Sequence, residues 1–365
     1  MEKPFWRWLF GPQAAIDLGT STLIFVQNRG VVLNQPTVVC FKKPNIRSNS
    51  RDGRVEVVGE HAKALLGRSP VHLEVVCPVQ HGVIANYHAA EQLIQQFVKH
   101  SKARSQLGRR VEFTVCVPSN ASAIELHSIR DAMFAAGATK VNLIEAVLAA
   151  ALGAGLPVAQ PIGSMVVDIG GGTTQAALVA LGNIVHRTAA RVGSDQFDAA
   201  IISFVRSTYG VTLGEHTAEL VKKTIGSATR QIPCASMKVV GRSVENGLPR
   251  TVELTNHEIA DAIASPLQEM LTTVRAALEH APLELVADVA NRGITLTGSG
   301  ALLGNMSQYF AAEIGVSAHL ADEPESCAVR GAGKAMMSYA ACPFREEARP
   351  LPVLHQPSDL LELHI

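Results

Sequence analysis

Asp17 and Asp168 each close an apolar run and open a glycine–threonine turn. The first stretch is Ala14-Ala15-Ile16-Asp17-Leu18-Gly19-Thr20, the second Met165-Val166-Val167-Asp168-Ile169-Gly170-Gly171-Gly172-Thr173-Thr174. Both turns run straight into another apolar stretch, Leu23 to Val26 and Ala176 to Val179, so each predicts a strand, a tight turn and a strand. Glycine at a hairpin tip leaves backbone N–H groups bare, and bare N–H groups attract phosphate. An aspartate at the entrance is repelled by phosphate but can hold Mg2+, usually through water. Two such clamps, about 150 residues apart, point to a nucleotide triphosphate held between two similar domains.

The elements that must position these turns follow from periodicity. Strands are predicted at Val31 to Leu33, Thr37 to Phe41, Val55 to Val58, Val111 to Val117 and Val141 to Ile144. Helices are predicted at Glu60 to Gly67, His88 to Ser101, Ala121 to Ala136 and Glu145 to Gly153, with Pro118-Ser119-Asn120 as a turn able to cap the third. The polar stretch Lys43 to Arg54 has no period and predicts a loop. The second half repeats the plan. Its helices are predicted at Asp195 to Tyr209, Glu215 to Ser227 and Asn256 to Ala281, and its strands at Lys238 to Val244, Arg250 to Leu254 and Gly293 to Thr297. That makes an α/β protein with a duplicated core.

Composition sets limits on function. At 365 residues the chain has room for two domains, and 47% apolar with 18% charged residues is ordinary for a globular protein. A net charge of zero gives no global attraction to nucleic acid. The six cysteines show no metal-ligand spacing and predict reduced, mostly buried thiols in a cytosolic protein. No run approaches the roughly 20 apolar residues of a membrane span. The N-terminus is unusual, because Phe5, Trp6, Trp8, Leu9 and Phe10 cluster around Arg7. Aromatics with basic neighbours at a chain end favour the water–lipid interface, although a strap packed on the domain has the same composition. Beyond Pro343 the sequence is Pro- and Glu-rich and predicts a loose tail, 343–365.

The two turns, together with Thr297-Gly298-Ser299-Gly300-Ala301-Leu302-Leu303, resemble the phosphate and adenosine motifs of the actin/Hsp70/sugar-kinase superfamily. Within it the chain is similar to the MreB family of bacterial actins. Four further segments carry that likeness: Gly30 to Pro36, Gly153 to Pro157, Gly214 to Ala228 and Cys327 to Gly331. The resemblance implies an actin-like (ribonuclease H-like) fold of duplicated domains, four subdomains in all, with ATP and Mg2+ in the cleft. It implies a membrane segment at 1–11, a first domain over 12–155 (subdomain about 34–80) and a second over 156–342 (subdomain about 186–254), with the last helix packing back on the first domain. By the same likeness Gly19, Thr20 and Ser21 hold phosphate from one side and Gly170, Gly171, Gly172 and Thr173 from the other. Asp17 and Asp168 organise Mg2+, Glu219 and Lys222 contact the ribose, and Gly298, Ser299, Gly300 and Ala301 pass close to the adenosine. The family also implies self-assembled filaments beneath the inner membrane, lipid binding through an N-terminal amphipathic helix, and contact with other cell-shape and wall-synthesis membrane proteins. Nucleic acid is not an expected partner.

Three departures qualify these expectations. The family's first turn usually has the form D-L-G-T-x-N-T, whereas Ser21-Thr22 follows Thr20 directly, one residue short. The family's connecting helix opens I-E-E-P, and its second Glu positions the attacking water. Here Ile144-Glu145-Ala146-Val147 puts Ala146 in that place, with Thr173 as a remaining water contact and Glu145 as a neighbouring carboxylate. Losing such a group costs on the order of 100-fold or more in rate, so hydrolysis is expected to be slow or absent. Ser194 and Ser299 also replace usual glycines. The leading expectation is an ATP-binding, membrane-associated filament organising cell-wall synthesis and rod shape, or a divergent paralogue that co-assembles with a standard family member. The alternatives are a plasmid- or chromosome-segregating actin and, less well supported, a small-molecule kinase, for which no substrate motif is visible.

Overall fold

The computed structural model describes residues 13–26, 29–43, 54–105 and 111–338. The aromatic cluster Phe5, Trp6, Trp8, Leu9 and Phe10, most of the loop predicted at Lys43 to Arg54, Cys342 and the tail 343–365 lie outside the described residues.

The first half runs β1 (Gln13–Leu18), β2 (Ser21–Val26), β3 (Gly30–Pro36), β4 (Val39–Lys42), β5 (Arg54–Val58), α1 (Glu60–Lys63), β6 (Leu73–Val76), β7 (Val79–Gln80), β8 (Val83–Ile84), α2 (Tyr87–Ser105), β9 (Glu112–Val117), α3 (Ala123–Ala135), β10 (Lys140–Glu145) and α4 (Ala146–Gly153). The second runs β11 (Ser164–Ile169), β12 (Thr174–Ala180), β13 (Asn183–Ala190), α5 (Ser194–Tyr209), β14 (Val211–Thr212), α6 (Glu215–Ile225), β15 (Ser236–Ser243), β16 (Pro249–Thr255), α7 (Asn256–Ala262), α8 (Ala264–Glu279), α9 (Leu283–Arg292), β17 (Ile294–Thr297), α10 (Met306–Ile314), β18 (Ala318–Leu320) and α11 (Cys327–Ser338).

The duplication is visible in the strand order. One five-stranded sheet is ordered β10-β9-β1-β2-β3 and the other β18-β17-β11-β12-β13, with the leading hairpin antiparallel and the later strands parallel in both. Each sheet has an insertion between its third and fourth strands: β5-β4-β6 with α1 in the first half, and β14-β15-β16 with α5, α6 and α7 in the second.

Both leading strands are apolar on two faces because both faces are covered. Ala14 and Ile16 join a core with α2 and α3, while Ala15 faces the opposite way. In β11, Met165 and Val167 face the core of the second half while Val166 faces away. The side chains that face away, Ala15 and Val166, meet in one cluster with α4 and α11, which therefore form a layer shared by both sheets.

Those two helices cross at backbone distance. A Cβ on Gly331 would collide with the Ala149 carbonyl, and one on Gly153 with the Cys327 carbonyl. Small residues four apart on each helix (Ala149 and Gly153, Cys327 and Gly331) make this approach possible. Cys116 seals the joint by donating its thiol to the Ala328 carbonyl at 3.6 Å.

Two helix readings change. The single helix expected from Asn256 to Ala281 breaks at Ile263 into α7 and α8. Pro266 has no N–H for the Ala262 carbonyl and its ring would strike it, so a continuous helix is excluded there. The cap of α3 is Ser122, which forms a reciprocal capping box with Glu125, rather than a residue of Pro118-Ser119-Asn120. The five described cysteines are free thiols. Cys40, Cys116 and Cys327 are buried and Cys234 is exposed.

The helix crossing generates a direct test. Alanine is the better helix former by about 1 kcal/mol, yet Gly331→Ala should destabilise by about 2–3 kcal/mol net, because two backbones must separate. Gly214, with nothing within 4 Å of its Cβ position and a negative φ, serves as the control. Gly214→Ala, which changes only the N-cap of α6, should cost no more than about 1 kcal/mol. Urea unfolding of both variants checks the contrast.

Candidate functional site

The two aspartate turns face each other across the cleft between the sheets. A Cβ on Gly171 would run into the Thr20 side chain, and Thr20 Oγ1 donates to Asp195 Oδ2 at 3.2 Å. Thr20 is thus the point where the first turn touches the second.

The turns are unequal in what they offer. The Gly19 amide donates to the Ser21 carbonyl at 3.1 Å, and in the second hairpin the Gly170 amide donates to the Thr173 carbonyl at 2.8 Å. The second turn is one residue longer between these closing bonds. Among the described residues the amides of Gly171, Gly172 and Thr173 take no acceptor, whereas the first turn leaves that of Thr20. The sequence expectation that Gly19 presents a bare N–H does not hold in this geometry, since its hydrogen points into its own hairpin. Gly170 uses its amide in the same way, so what the shorter first turn lacks is tip amides: it leaves one without an acceptor where the second leaves three.

Asp17 and Asp168 lie on the cleft floor, each paired in register with a central parallel strand: Asp17 with Cys116, Asp168 with Thr297. Burial, and then the charge of Asp168, push the Asp17 carboxyl up to about 7. Burial pushes Asp168 up to about 6 against the opposing effect of a 2.9 Å hydrogen bond donated by Thr297 Oγ1. Burial, followed by these two carboxylates, raises the Cys116 thiol beneath them well above its ordinary value.

The third glycine run packs directly on the second turn. Gly298 has φ 84, and a Cβ there would strike the Ile169 carbonyl. A Cβ on Gly300 would fall 2.5 Å from Ile169 Cγ2 and 3.2 Å from the Gly170 carbonyl. Ser299 sits in the following 3-10 turn and Ala301 is buried. A bridge between Ser227 and Gly304 then joins this loop to the end of α6, so the segments carrying Gly298 to Ala301 and Glu219/Lys222 form one wall.

On that wall both candidate ribose residues have protein partners. Lys222 Nζ donates to Asp198 Oδ2 at 2.7 Å and to the Ser194 carbonyl at 3.0 Å. Glu219 is gripped by Lys63 from the opposite half at 2.8 Å and by Lys223 at 2.8 Å. Burial alone would raise the Glu219 carboxyl, but the hydrogen bonds and charges of these lysines hold it at about 2. Asp198 Oδ1 is buried with no hydrogen-bond partner.

At the start of α4, Ala146 is the first helical residue and is buried. Glu145 precedes it and accepts from Arg187 Nη1 at 3.0 Å, with its other oxygen buried and unpartnered. Thr173 faces the first half, because a Cβ on Gly82 would lie 2.8 Å from its Cγ2.

Sequence reasoning missed a group of residues that join the halves around the turns. His81, at φ 50 in the β7–β8 turn, lays its backbone on Gly172 and bonds Gln196 Nε2 through Nδ1 at 3.1 Å. Gln196 in turn accepts from the Gly193 amide at 2.7 Å. Gln175 Oε1 accepts from the Ser119 amide at 2.8 Å, tying the second hairpin to the loop after β9. A His-Gly pair between two short apolar runs was the available signal for the turn. Nothing local marks the two glutamines. Among the described residues no cluster of three metal-ligating side chains is present and no helix is long and apolar enough to cross a membrane.

Comparison with known proteins agrees with this architecture. The model of the MreB/Mbl protein family matches residues 12–342. The chain is 42% identical over 337 residues to the cell shape-determining protein MreB of Escherichia coli (strain K12), covering 92% of this chain and 96% of that protein. It is 33% identical over 339 residues to the cell shape-determining protein Mbl of Bacillus subtilis (strain 168), covering 93% and 99%. Among solved structures, MreB5 of Spiroplasma citri bound to ADP superposes with a TM-score of 0.82 at 29% identity, covering 90% of this chain and 97% of that one. The fold is actin-like, and the chain belongs to the MreB/Mbl family.

Proposed function

We propose that the chain is an ATP-binding, filament-forming actin homologue that acts in cell-shape determination at the membrane and hydrolyses its nucleotide slowly. The observation that carries the nucleotide reading is the second turn, which meets the opposite half through Gly171 and Gly172 and has three consecutive amides without acceptors, beside two buried carboxylates. Support for the cellular role comes from family membership and from the names of relatives such as the Escherichia coli protein. The Spiroplasma citri relative holds ADP, which favours an adenine nucleotide in the same cleft.

The residues fit such a ligand. Gly171, Gly172 and Thr173 would cradle phosphate oxygens and Thr20 would meet them from the other side. Asp17, raised by burial and the charge of Asp168, and Asp168, raised by burial, are the donor set a hydrated divalent cation relieves. Bound Mg2+ would neutralise the phosphate charge there. The orphaned Asp198 Oδ1 beside Lys222 offers an acceptor to a ribose hydroxyl. Gly298 and Gly300 let the loop expected to meet the adenosine pack directly against the phosphate turn.

Hydrolysis is the weak point of this site. Ala146 has no group to orient a water, and Glu145 is held by Arg187. Membrane attachment rests on Phe5, Trp6, Trp8, Leu9 and Phe10, whose short apolar sequence gains binding strength from many linked copies in a filament.

Three outcomes test the reading. Sedimentation with ATP and liposomes should pellet the protein with lipid, and removing residues 1–10 should abolish lipid binding while leaving ATP binding intact. A protein that stays in the supernatant under every condition refutes the filament. Ala146→Glu should raise ATP turnover by roughly 10-fold or more over a slow wild type. Wild-type turnover equal to that of the Escherichia coli relative would show that the missing Glu does not matter. Asp17→Asn should weaken Mg2+-ATP binding strongly yet stabilise the metal-free protein. A folded-state pKa above the ordinary 3.8 means that ionisation destabilises the fold, a cost fully present above about pH 7. Calorimetry at pH 8 in chelator should show a melting temperature about 2–4 °C higher.

A further inference from the structure

The outer mouth of the cleft carries an ion pair that the nucleotide reading does not need. Lys63 Nζ lies 2.8 Å from Glu219 Oε2 and 2.9 Å from Oε1, joining the insertion of the first half to that of the second. Other cross-half bonds, among them Thr20 to Asp195, Gln175 to Ser119, Gln196 to His81, Arg187 to Glu145 and Arg191 to Glu125, lie around the turns and the starts of α3 and α4.

Lys63 is aimed by its scaffold. It ends α1, a one-turn helix whose Ala62 is fully buried and whose first amide, that of Glu60, donates to Gln35 Oε1 at 3.0 Å. Gln35 belongs to β3 of the inner sheet, so the lysine is braced against the core of its own half. Glu219 is braced independently by Lys223 on the next turn of α6. Its carboxyl, at about 2, stays ionised across the physiological range. Cys77 gives a second sign that these surfaces face each other: burial, then Glu215 and Asp195 of the opposite half, raise its thiol, and Lys63 lowers it.

We propose that the Lys63–Glu219 pair is the outer closure of the cleft, with Lys63 a positioning residue that slows entry and release of nucleotide. This rests on the nucleotide reading and deepens it. The halves share the α4–α11 layer at the base, so any opening motion separates the outer insertions furthest. A pair placed there is the first contact to break and the last to form. Because Lys63 also holds the carboxylate expected to meet the ribose, closure and ribose recognition share one group.

Release of a fluorescent ATP analogue, chased with excess ATP in Mg2+, tests the pair in the full chain. Lys63→Ala should speed release at least about threefold, Lys63→Arg should stay near wild type, and Lys223→Ala, which leaves the cross-half contact intact, should change release less than twofold. Hydrogen exchange of the nucleotide-free protein provides a readout independent of ligand, with residues 60–67 and 215–225 exchanging faster in Lys63→Ala. Release by Lys63→Ala equal to wild type, or an equal acceleration by Lys223→Ala, overturns the closure. If the wild type binds no ATP, the nucleotide reading fails. The closure is then judged by exchange alone, and unchanged protection in Lys63→Ala refutes it.

Discussion

The backbone contact between α4 and α11 is the constraint on which the molecule depends. Two sheets that each need both faces covered share a single helical layer, and that layer is thin because Ala149, Gly153, Cys327 and Gly331 let the helices touch main chain to main chain. Any larger side chain would spread the sheets and move Asp17 away from Asp168. The apposition of the two turns follows from this spacing, since Thr20 can reach Gly171 only when the sheets are held that close. A core built from alanine and glycine gains little from apolar area per residue and instead gains from dense packing.

From that frame the site inherits its inequality. The hairpins are equivalent in topology and each uses its first glycine amide internally, but the first is one residue shorter and leaves one tip amide without an acceptor where the second leaves three. Beneath them the partners differ as well, a thiol beside Asp17 and a hydroxyl beside Asp168. At the head of α4, Ala146 carries no titratable group to add to this asymmetric set.

Much of the architecture was legible because it is local. Hairpins announced by Asp-x-Gly, alternating strands and the α5 and α6 patterns needed only short windows of sequence. The short first turn could be seen by counting, though its consequence for the Gly19 amide required the hydrogen-bond geometry. The break at Ile263 was within reach, since Pro266 is incompatible with a continuous helix, but a strong apolar stripe on both sides masked it. Strands β6, β7, β8, β14 and β18 went unread because they span only two to four residues. Strand β13 and helix α10 also went unread, and α9 was missed although its ten residues are amphipathic. Least legible were Gln175, Gln196, His81 and Lys63. Each acts by bridging segments between 56 and 156 residues apart, a relation that no sequence pattern records.

The repeated strand order has a consequence for direction. A cradle assembled from two copies of one motif has no inherent head or tail, so a ligand with unlike ends could lie in it either way round with similar energy. The differences between the copies remove that degeneracy: a longer turn on one side, a thiol against a hydroxyl, and a wall of Gly298 to Ala301 and α6 built on the second half alone. What looks like erosion of an ideal repeat is therefore what gives the cleft a defined sense of orientation.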